Sequence, residues 1–201
     1  ELAGRPQQDI PSWFGIVPQM QRLPPDMILQ VCDFMYRIGV RHVRWLPVWS
    51  VLEPERGRYD WDMTDRHFDA FRTFGFGIMG CISYWGSAGA EVVGLDGQRQ
   101  ARSPEGRAFW VDHYAEEVFK RYGHHVKHWQ VWNEPNAYWH EDPDKARGFA
   151  RGFGTPANYF DLFRRSYEAA KRISPDIEVL SSFASANQME SIEMMAEMGL
   201  L

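Results

Sequence analysis

The stretch KHWQVWNEPN, residues 127–136, contains the end of a predicted β-strand followed by a strand-terminating proline. The predicted strand runs from His128 to Asn133 and carries Glu134 at its C-terminal end. Pro135 has no backbone N–H and therefore cannot continue a strand ladder. It also disfavours right-handed helical angles for the residue before it. The pattern predicts an amide and a carboxyl side chain held next to each other at the end of a strand.

Outward from this stretch, strand-like and helix-like segments alternate. Strands are predicted at residues 14–17, 40–47, 78–84, 128–133 and 177–183. Helices are predicted at residues 24–38, 65–74, 104–122, 155–172 and 191–198. Ser103 and Thr155, each followed by proline, have the residue types that begin helices. This alternation is typical of an α/β fold with a parallel sheet.

The number of units limits the architecture. The 201 residues contain about five βα units and are predicted to form one domain, residues 1–201. A (β/α)8 barrel, or TIM barrel, has eight units over typically about 250 residues. The chain would then be an incomplete barrel that stops after its fifth unit. A doubly wound open sheet of five strands also fits the alternation.

Bulk composition excludes several classes of partner. The hydrophobic content is 44% and the charged content is 24%, which are ordinary values for a soluble globular protein. The net charge is −5 and the basic residues are scattered, which argues against nucleic acid as a partner. No apolar run approaches the roughly 18 residues that would suggest a membrane span. Oligomeric state and cellular compartment stay open.

Two motifs resemble a cofactor site and a metal site but lack the structural setting that such sites need. The segment 75–80 matches G-x-G-x-x-G, but its glycines close a helix and lead into a strand, the reverse of a dinucleotide site. His124, His125 and His128 bridge a helix end and a strand start, so no single helical face aligns their rings. Neither a cofactor nor a metal is predicted.

Aromatic residues are unusually abundant, at 15% of the chain with nine tryptophans. One interpretation is a tryptophan-rich core. The other is a cleft lined by rings, whose flat faces can stack on the C–H faces of sugars. Composition does not choose between these interpretations.

Glu134 has the setting that glycosidic bond cleavage needs. A carboxylic acid at a strand end can protonate the leaving oxygen, and a neighbouring amide can bind a sugar hydroxyl. The structural alternative is a glutamate that only caps the following loop. A second stretch, residues 43–61, contains VRW and then WSVLEPERGRYDW. Its Glu53 has a catalytic residue type, but the Glu-Pro-x-x-Gly setting indicates a loop-forming role.

Together, the two stretches resemble the motifs of clan A glycoside hydrolases, which are retaining (β/α)8 enzymes. The Trp-Asn-Glu-Pro-Asn form at 132–136 is most similar to family 39, which includes β-xylosidases and α-L-iduronidases, with families 5 and 42 as alternatives. The resemblance implies an O-glycosyl hydrolase acting on a carbohydrate. Glu134 would be the general acid/base and Asn133 would bind a sugar hydroxyl. Arg44 would lie near the nucleophile.

The resemblance also implies two tryptophans that stack on sugars and a nucleophilic carboxylate that this chain lacks. Trp85 and Trp139 follow the third and fourth predicted strands and would stack on sugars. The nucleophilic carboxylate of this clan comes from the seventh strand and is expected beyond Leu201. The fragment alone is therefore expected to be inactive. A catalytically incomplete carbohydrate-binding half-barrel, or a barrel enzyme that uses Glu134 for proton transfer without sugars, are the alternatives.

Overall fold

The computed structural model describes residues 13–20, 23–83, 101–136, 140, 142–145, 153–182 and 189–199. The chain divides into two compact units. The first comprises Glu1–Trp45 and Trp61–Met79, and the second comprises Leu46–Asp60 and Gly80–Leu201. The expectation of one domain stays a prediction.

Five strands form a single sheet in chain order. They are β1 Gly15–Ile16, β2 His42–Trp45, β3 Gly77–Ile82, β4 His128–Val131 and β5 Glu178–Leu180. In the first unit β1 pairs in parallel with β2, and in the second unit β4 pairs in parallel with β5. The predicted α/β fold with a parallel sheet is confirmed. The strands are shorter than the predicted ones. Val40, for example, starts the predicted second strand and is buried, but β2 begins at His42.

Helices follow each strand as predicted. They are α1 Pro25–Arg37, α2 Trp49–Leu52, α3 Asp62–Thr73, α4 Pro104–Trp110, α5 Glu116–Tyr122, α6 Pro156–Ile173 and α7 Met189–Glu197. A π-helical turn, Val111–Ala115, joins α4 to α5, and a 3-10 turn lies at Pro143–Lys145. The predicted N-caps are confirmed, because the Ser103 hydroxyl accepts from Gly106 N at 3.0 Å and the Thr155 hydroxyl from Asn158 N at 3.2 Å. The short helix α2 was not predicted.

In the first unit, α1 packs against α3. Helix α1 buries Ile28, Cys32 and Met35, while Phe34 and Ile38 from the same apolar repeat are exposed. Its apolar positions therefore occupy two sides of the helix, of which one is packed within this unit.

In the second unit, aromatic rings form a continuous core. Trp49 stacks on Tyr114 with 5.6 Å between ring centroids, and Trp110 packs edge-on against Tyr114 at 5.2 Å. Trp132 lies 5.9 Å from Trp110 and 5.2 Å from Phe153. Of the seven tryptophans that the structure describes, five are buried: Trp45, Trp49, Trp110, Trp129 and Trp132. For these five the core interpretation is confirmed.

A buried arginine connects the start of α4 to α6. Arg107 donates to Asp161 Oδ2 at 2.6 Å and to Asn158 Oδ1 at 2.9 Å. Burial of Asp161 favours its protonated form, but hydrogen bonds from Arg107, Arg165 and Arg164 outweigh this and lower the pKa of Asp161 to about 2. The ionised carboxylate therefore stabilises the folded state.

This lowered pKa predicts a pH dependence of stability. The contribution of Asp161 is fully present above its ordinary pKa of 3.8 and is lost as pH falls towards about 2. It amounts to roughly 2 kcal/mol, since one pKa unit corresponds to about 1.4 kcal/mol. Urea unfolding of Asp161→Asn should show lower stability at pH 7 and a shallower decline below pH 4 than the unmodified protein.

The control for this prediction is Asp62→Asn. Asp62 is also paired with an arginine, Arg66, but both side chains are more than half exposed. Solvent screens such pairs, so this variant should keep the unmodified pH profile. Parallel profiles for Asp161→Asn and the unmodified protein would contradict the role of Asp161.

Candidate active site

The backbone after β4 has an unusual conformation. Trp132 and Glu134 have φ angles of 68° and 49°, in the left-handed region that residues with a Cβ rarely adopt. Such a conformation costs about 1–3 kcal/mol per residue and persists only where the surroundings impose it. Glu134 avoids right-handed helical angles, as expected before Pro135. The strand, however, ends at Val131, two residues earlier than predicted.

Trp132 is anchored on the side of β3. Its backbone N–H donates to Ile82 O at 2.7 Å. Its carbonyl oxygen accepts from Gln130 Nε2 at 3.0 Å and from Cys81 Sγ at 3.4 Å. Its indole is fully buried against Phe153. These contacts explain how the left-handed Trp132 is maintained.

Glu134 is anchored on the side of β5. Its backbone N–H donates to the Ser182 hydroxyl oxygen at 3.3 Å, and Ser182 is buried. The side chains of Asn133 and Glu134 are partly exposed, whereas Pro135 and Asn136 are buried. The two predicted site residues therefore stand next to each other at the C-terminal end of β4, with solvent access and a restrained backbone.

Two buried tyrosines tie neighbouring strand ends together. The Tyr159 hydroxyl, on α6, donates to Val131 O at 3.2 Å and has a backbone hydrogen bond with Ser182. The Tyr114 hydroxyl, on the π-helical turn, donates to Pro47 O and accepts from Ser83 N. Burial raises the pKa of both phenols, so both stay protonated and able to donate.

Sequence analysis missed the supporting residues of this site: Gln130, Cys81, Ser182 and the hydroxyl role of Tyr159. Tyr159 lies on α6, within the helix predicted after the fourth strand. One usable signal was a tyrosine on the buried face of the helical segments that follow β3 and β4, Tyr114 and Tyr159. Such a hydroxyl needs a buried partner, and strand-end carbonyls are the nearest unpaired acceptors.

The other predicted site residues are distributed as follows. Arg44 lies on β2 in the first unit and is partly exposed. Its role near a nucleophile stays a prediction. Trp85 and Trp139 lie outside the described residues, so their assignment as sugar platforms also stays a prediction.

Glu53 has the predicted loop-forming role. The residue is fully buried, and its carboxylate accepts from Trp49 Nε1 and from Gly57 N, each at 2.7 Å. His113 Nδ1 lies 3.7 Å from the same carboxylate. Gly57 has a φ of 76°, which explains the glycine in the Glu-Pro-x-x-Gly motif. Glu53 closes the loop after α2, and its oxygens are not available to a substrate.

Within the described ranges, no group of three or more histidine, cysteine or acidic side chains could hold a metal ion. His128, one of the three histidines considered for a metal, lies with its Nε2 3.1 Å from Glu178. Among the helices described, none has the length and apolar character needed to cross a membrane.

Comparison with known proteins finds similarity to glycoside hydrolases. Residues 48–198 match the family model described as glycosyl hydrolase family 10. No curated protein sequence matches the chain. Among solved structures, a family 39 glycoside hydrolase from the gut symbiont Bacteroides cellulosilyticus WH2 is 21% identical, with a TM-score of 0.67, over 94% of this chain and 36% of that protein.

Two further solved structures are similar. A β-glycosidase is 15% identical with a TM-score of 0.65, over 86% of this chain and 50% of that one. The β-glucosidase of Thermotoga maritima is 19% identical with a TM-score of 0.61, over 85% of this chain and 42% of that one. The chain thus spans at most half the length of these proteins. The likeness confirms the fold as part of a TIM barrel, and the resemblance to clan A is confirmed. The family model that matches is family 10, while family 39 is represented among the similar structures.

Proposed function

Because the chain belongs to glycosyl hydrolase family 10, we propose that it carries the general acid/base of a retaining O-glycosyl hydrolase that acts on a glycoside or an oligo- or polysaccharide. Glu134 is that acid/base, and Asn133 binds a sugar hydroxyl. The observation that carries this proposal is the restrained left-handed turn after β4, which presents the partly exposed Glu134 beside Asn133.

The chemistry follows from the position of Glu134. In the first step its carboxyl group donates a proton to the glycosidic oxygen as that bond breaks and positive charge develops on the sugar ring. In the second step its carboxylate accepts a proton from water, which attacks the sugar bound to the enzyme's nucleophile. A restrained backbone serves both steps, because proton transfer requires the carboxyl group to stay aimed at one oxygen.

A retaining enzyme needs a second carboxylate about 5–5.5 Å from the first. Glu178 does not suit this role, because it starts β5, pairs in register with His128 at the far end of β4, and binds Lys127 Nζ at 2.8 Å. Glu53 is engaged in its loop. Glu91 and Glu141, also unsuited by their sequence setting, lie outside the described residues. The nucleophile is proposed to come from a seventh strand beyond Leu201, near Arg44.

The test of this proposal is the stereochemistry of hydrolysis. The similar structures named as a β-glycosidase and a β-glucosidase support a β-linked substrate. The full-length gene product should hydrolyse aryl β-glucosides or aryl β-xylosides, and proton NMR should show the β anomer as the first product. An α anomer appearing first would indicate inversion and would contradict a retaining mechanism.

The alternative is a carbohydrate-binding half-barrel without a nucleophile. It is favoured by the engagement of both Glu53 and Glu178 within the described part of the second unit. Sequencing the source DNA past the codon for Leu201 separates the two functions. Three further βα units with a strand-end glutamate at the seventh strand support the hydrolase. A stop codon at that point supports the binding function.

A further inference from the structure

Ser182 is the residue that connects β5 to the backbone of Glu134. It lies two residues after the end of β5, and its hydroxyl oxygen accepts from Glu134 N at 3.3 Å. Only 9% of Ser182 is exposed. Ser182 is therefore largely buried, and the partner of its hydroxyl oxygen is the amide of the proposed acid/base.

Ser182 is itself held in place through Tyr159. The Tyr159 hydroxyl contacts the backbone of Ser182 and the carbonyl oxygen of Val131, the last residue of β4. The contacts form a closed ring from Val131 through Tyr159 and Ser182 to Glu134, and the chain from 131 to 134 completes it. A ring of this kind restrains the three residues that follow β4.

This restraint matters because Glu134 has a left-handed backbone conformation. A left-handed residue with a Cβ is disfavoured unless its neighbours impose it, and here the residue after it is a proline. If the amide of Glu134 loses its partner, the peptide can relax towards an extended conformation. That relaxation turns the Cα–Cβ bond of Glu134 and moves its carboxyl group away from the position it holds in the structure.

We propose that Ser182 is a positioning residue for Glu134, which holds the Glu134 amide so that its carboxyl group stays aimed at the leaving oxygen of the substrate. This inference rests on the proposed function. It assigns to Ser182 a role in proton transfer and none in binding the sugar.

The test compares two leaving groups in the full-length gene product, with the aryl β-glucoside or aryl β-xyloside that the unmodified protein hydrolyses. Phenolate needs a proton from the general acid, whereas 2,4-dinitrophenolate leaves without one. Ser182→Ala should therefore lower kcat for the phenyl glycoside about tenfold, and should change the rate of bond cleavage for the dinitrophenyl glycoside less than about twofold. Ser182→Cys, which keeps the size but is a poor acceptor, should give the same split.

Ser174→Ala is the matched control. Ser174 is also 9% exposed, and its hydroxyl oxygen accepts from a backbone amide, Asp176 N, at the same 3.3 Å. It precedes β5, whereas Ser182 follows that strand, and its amide partner is Asp176 and not Glu134. A merely structural hydroxyl should affect both substrates equally, so Ser174→Ala should show no dependence on the leaving group.

The outcomes distinguish a failure of this inference from a failure of the proposed function. If Glu134→Gln shows the leaving-group dependence and the two Ser182 variants do not, Ser182 is not a positioning residue and the proposed function stands. If Glu134→Gln lacks that dependence, or the unmodified protein hydrolyses none of these glycosides, both proposals are overturned. If Ser174→Ala shows the same difference between the phenyl and dinitrophenyl glycosides as Ser182→Ala, the role of Ser182 is also overturned.

Discussion

Glu134→Gln is expected to lower kcat for a phenyl β-glycoside about 10²- to 10⁴-fold, the range contributed by general acid–base catalysis. Glutamine has nearly the same shape but carries no transferable proton. The hydrogen bond that ties this residue to Ser182 uses the backbone amide, so the substitution preserves it. The variant should therefore fold normally, and the loss should reflect chemistry alone. The measurement is kcat and kcat/KM for the phenyl and dinitrophenyl glycosides, with thermal unfolding as a check on the fold.

The two leaving groups should respond differently to Glu134→Gln. Bond cleavage for the dinitrophenyl glycoside should be nearly unaffected, since that leaving group needs no proton. The following hydrolysis of the sugar–enzyme intermediate should be slow, because water then lacks its general base. The control is Glu55→Gln, a glutamate with 69% of its side chain exposed, paired with Arg58. An unchanged rate for the phenyl glycoside in Glu134→Gln would falsify the assignment of the acid.

Glu53→Ala is expected to destabilise the protein by about 2–6 kcal/mol. The fully buried carboxylate accepts from Trp49 Nε1 and Gly57 N, and its removal leaves both donors without that acceptor in the interior. Each buried unsatisfied group costs about 1–3 kcal/mol. The stability of Glu53→Gln should lie between those of the unmodified protein and Glu53→Ala. Its amide oxygen can satisfy one donor, while its NH2 group faces the other. Urea unfolding at pH 7, followed by tryptophan fluorescence, measures the loss.

Glu55→Ala is the matched control for Glu53→Ala. Glu55 lies in the same loop, two residues further on, and its side chain is largely exposed. An exposed ion pair contributes about 0–1 kcal/mol, so its loss should change the free energy of unfolding little. Equal stability of Glu53→Ala and Glu55→Ala would show that the buried carboxylate does not hold the loop.

Local chemistry made much of the fold predictable, including the position of Glu134 just after a strand. Ser103 and Thr155 begin helices because their hydroxyls reach amides three residues along the chain. Pro135 lacks a donor and cannot continue a strand, so it sets the last point at which the strand could end, and Asn133 and Glu134 follow β4 closely. The periodic apolar residues of each strand and helix likewise act within one element. Such effects depend on neighbours in sequence and can be recognised without knowing the tertiary structure.

The sequence by itself determined the α/β alternation, the clan A resemblance and the identity of Glu134 as the candidate acid. The tertiary structure alone decided that five tryptophans are core residues, that β4 ends at Val131, and that Glu134 is left-handed. It also decided that Ser182, 48 residues away along the chain, holds the Glu134 amide. The physical reason is that these features arise from contacts between distant segments. A residue's own type and near neighbours do not specify which distant hydroxyl or ring will lie against it.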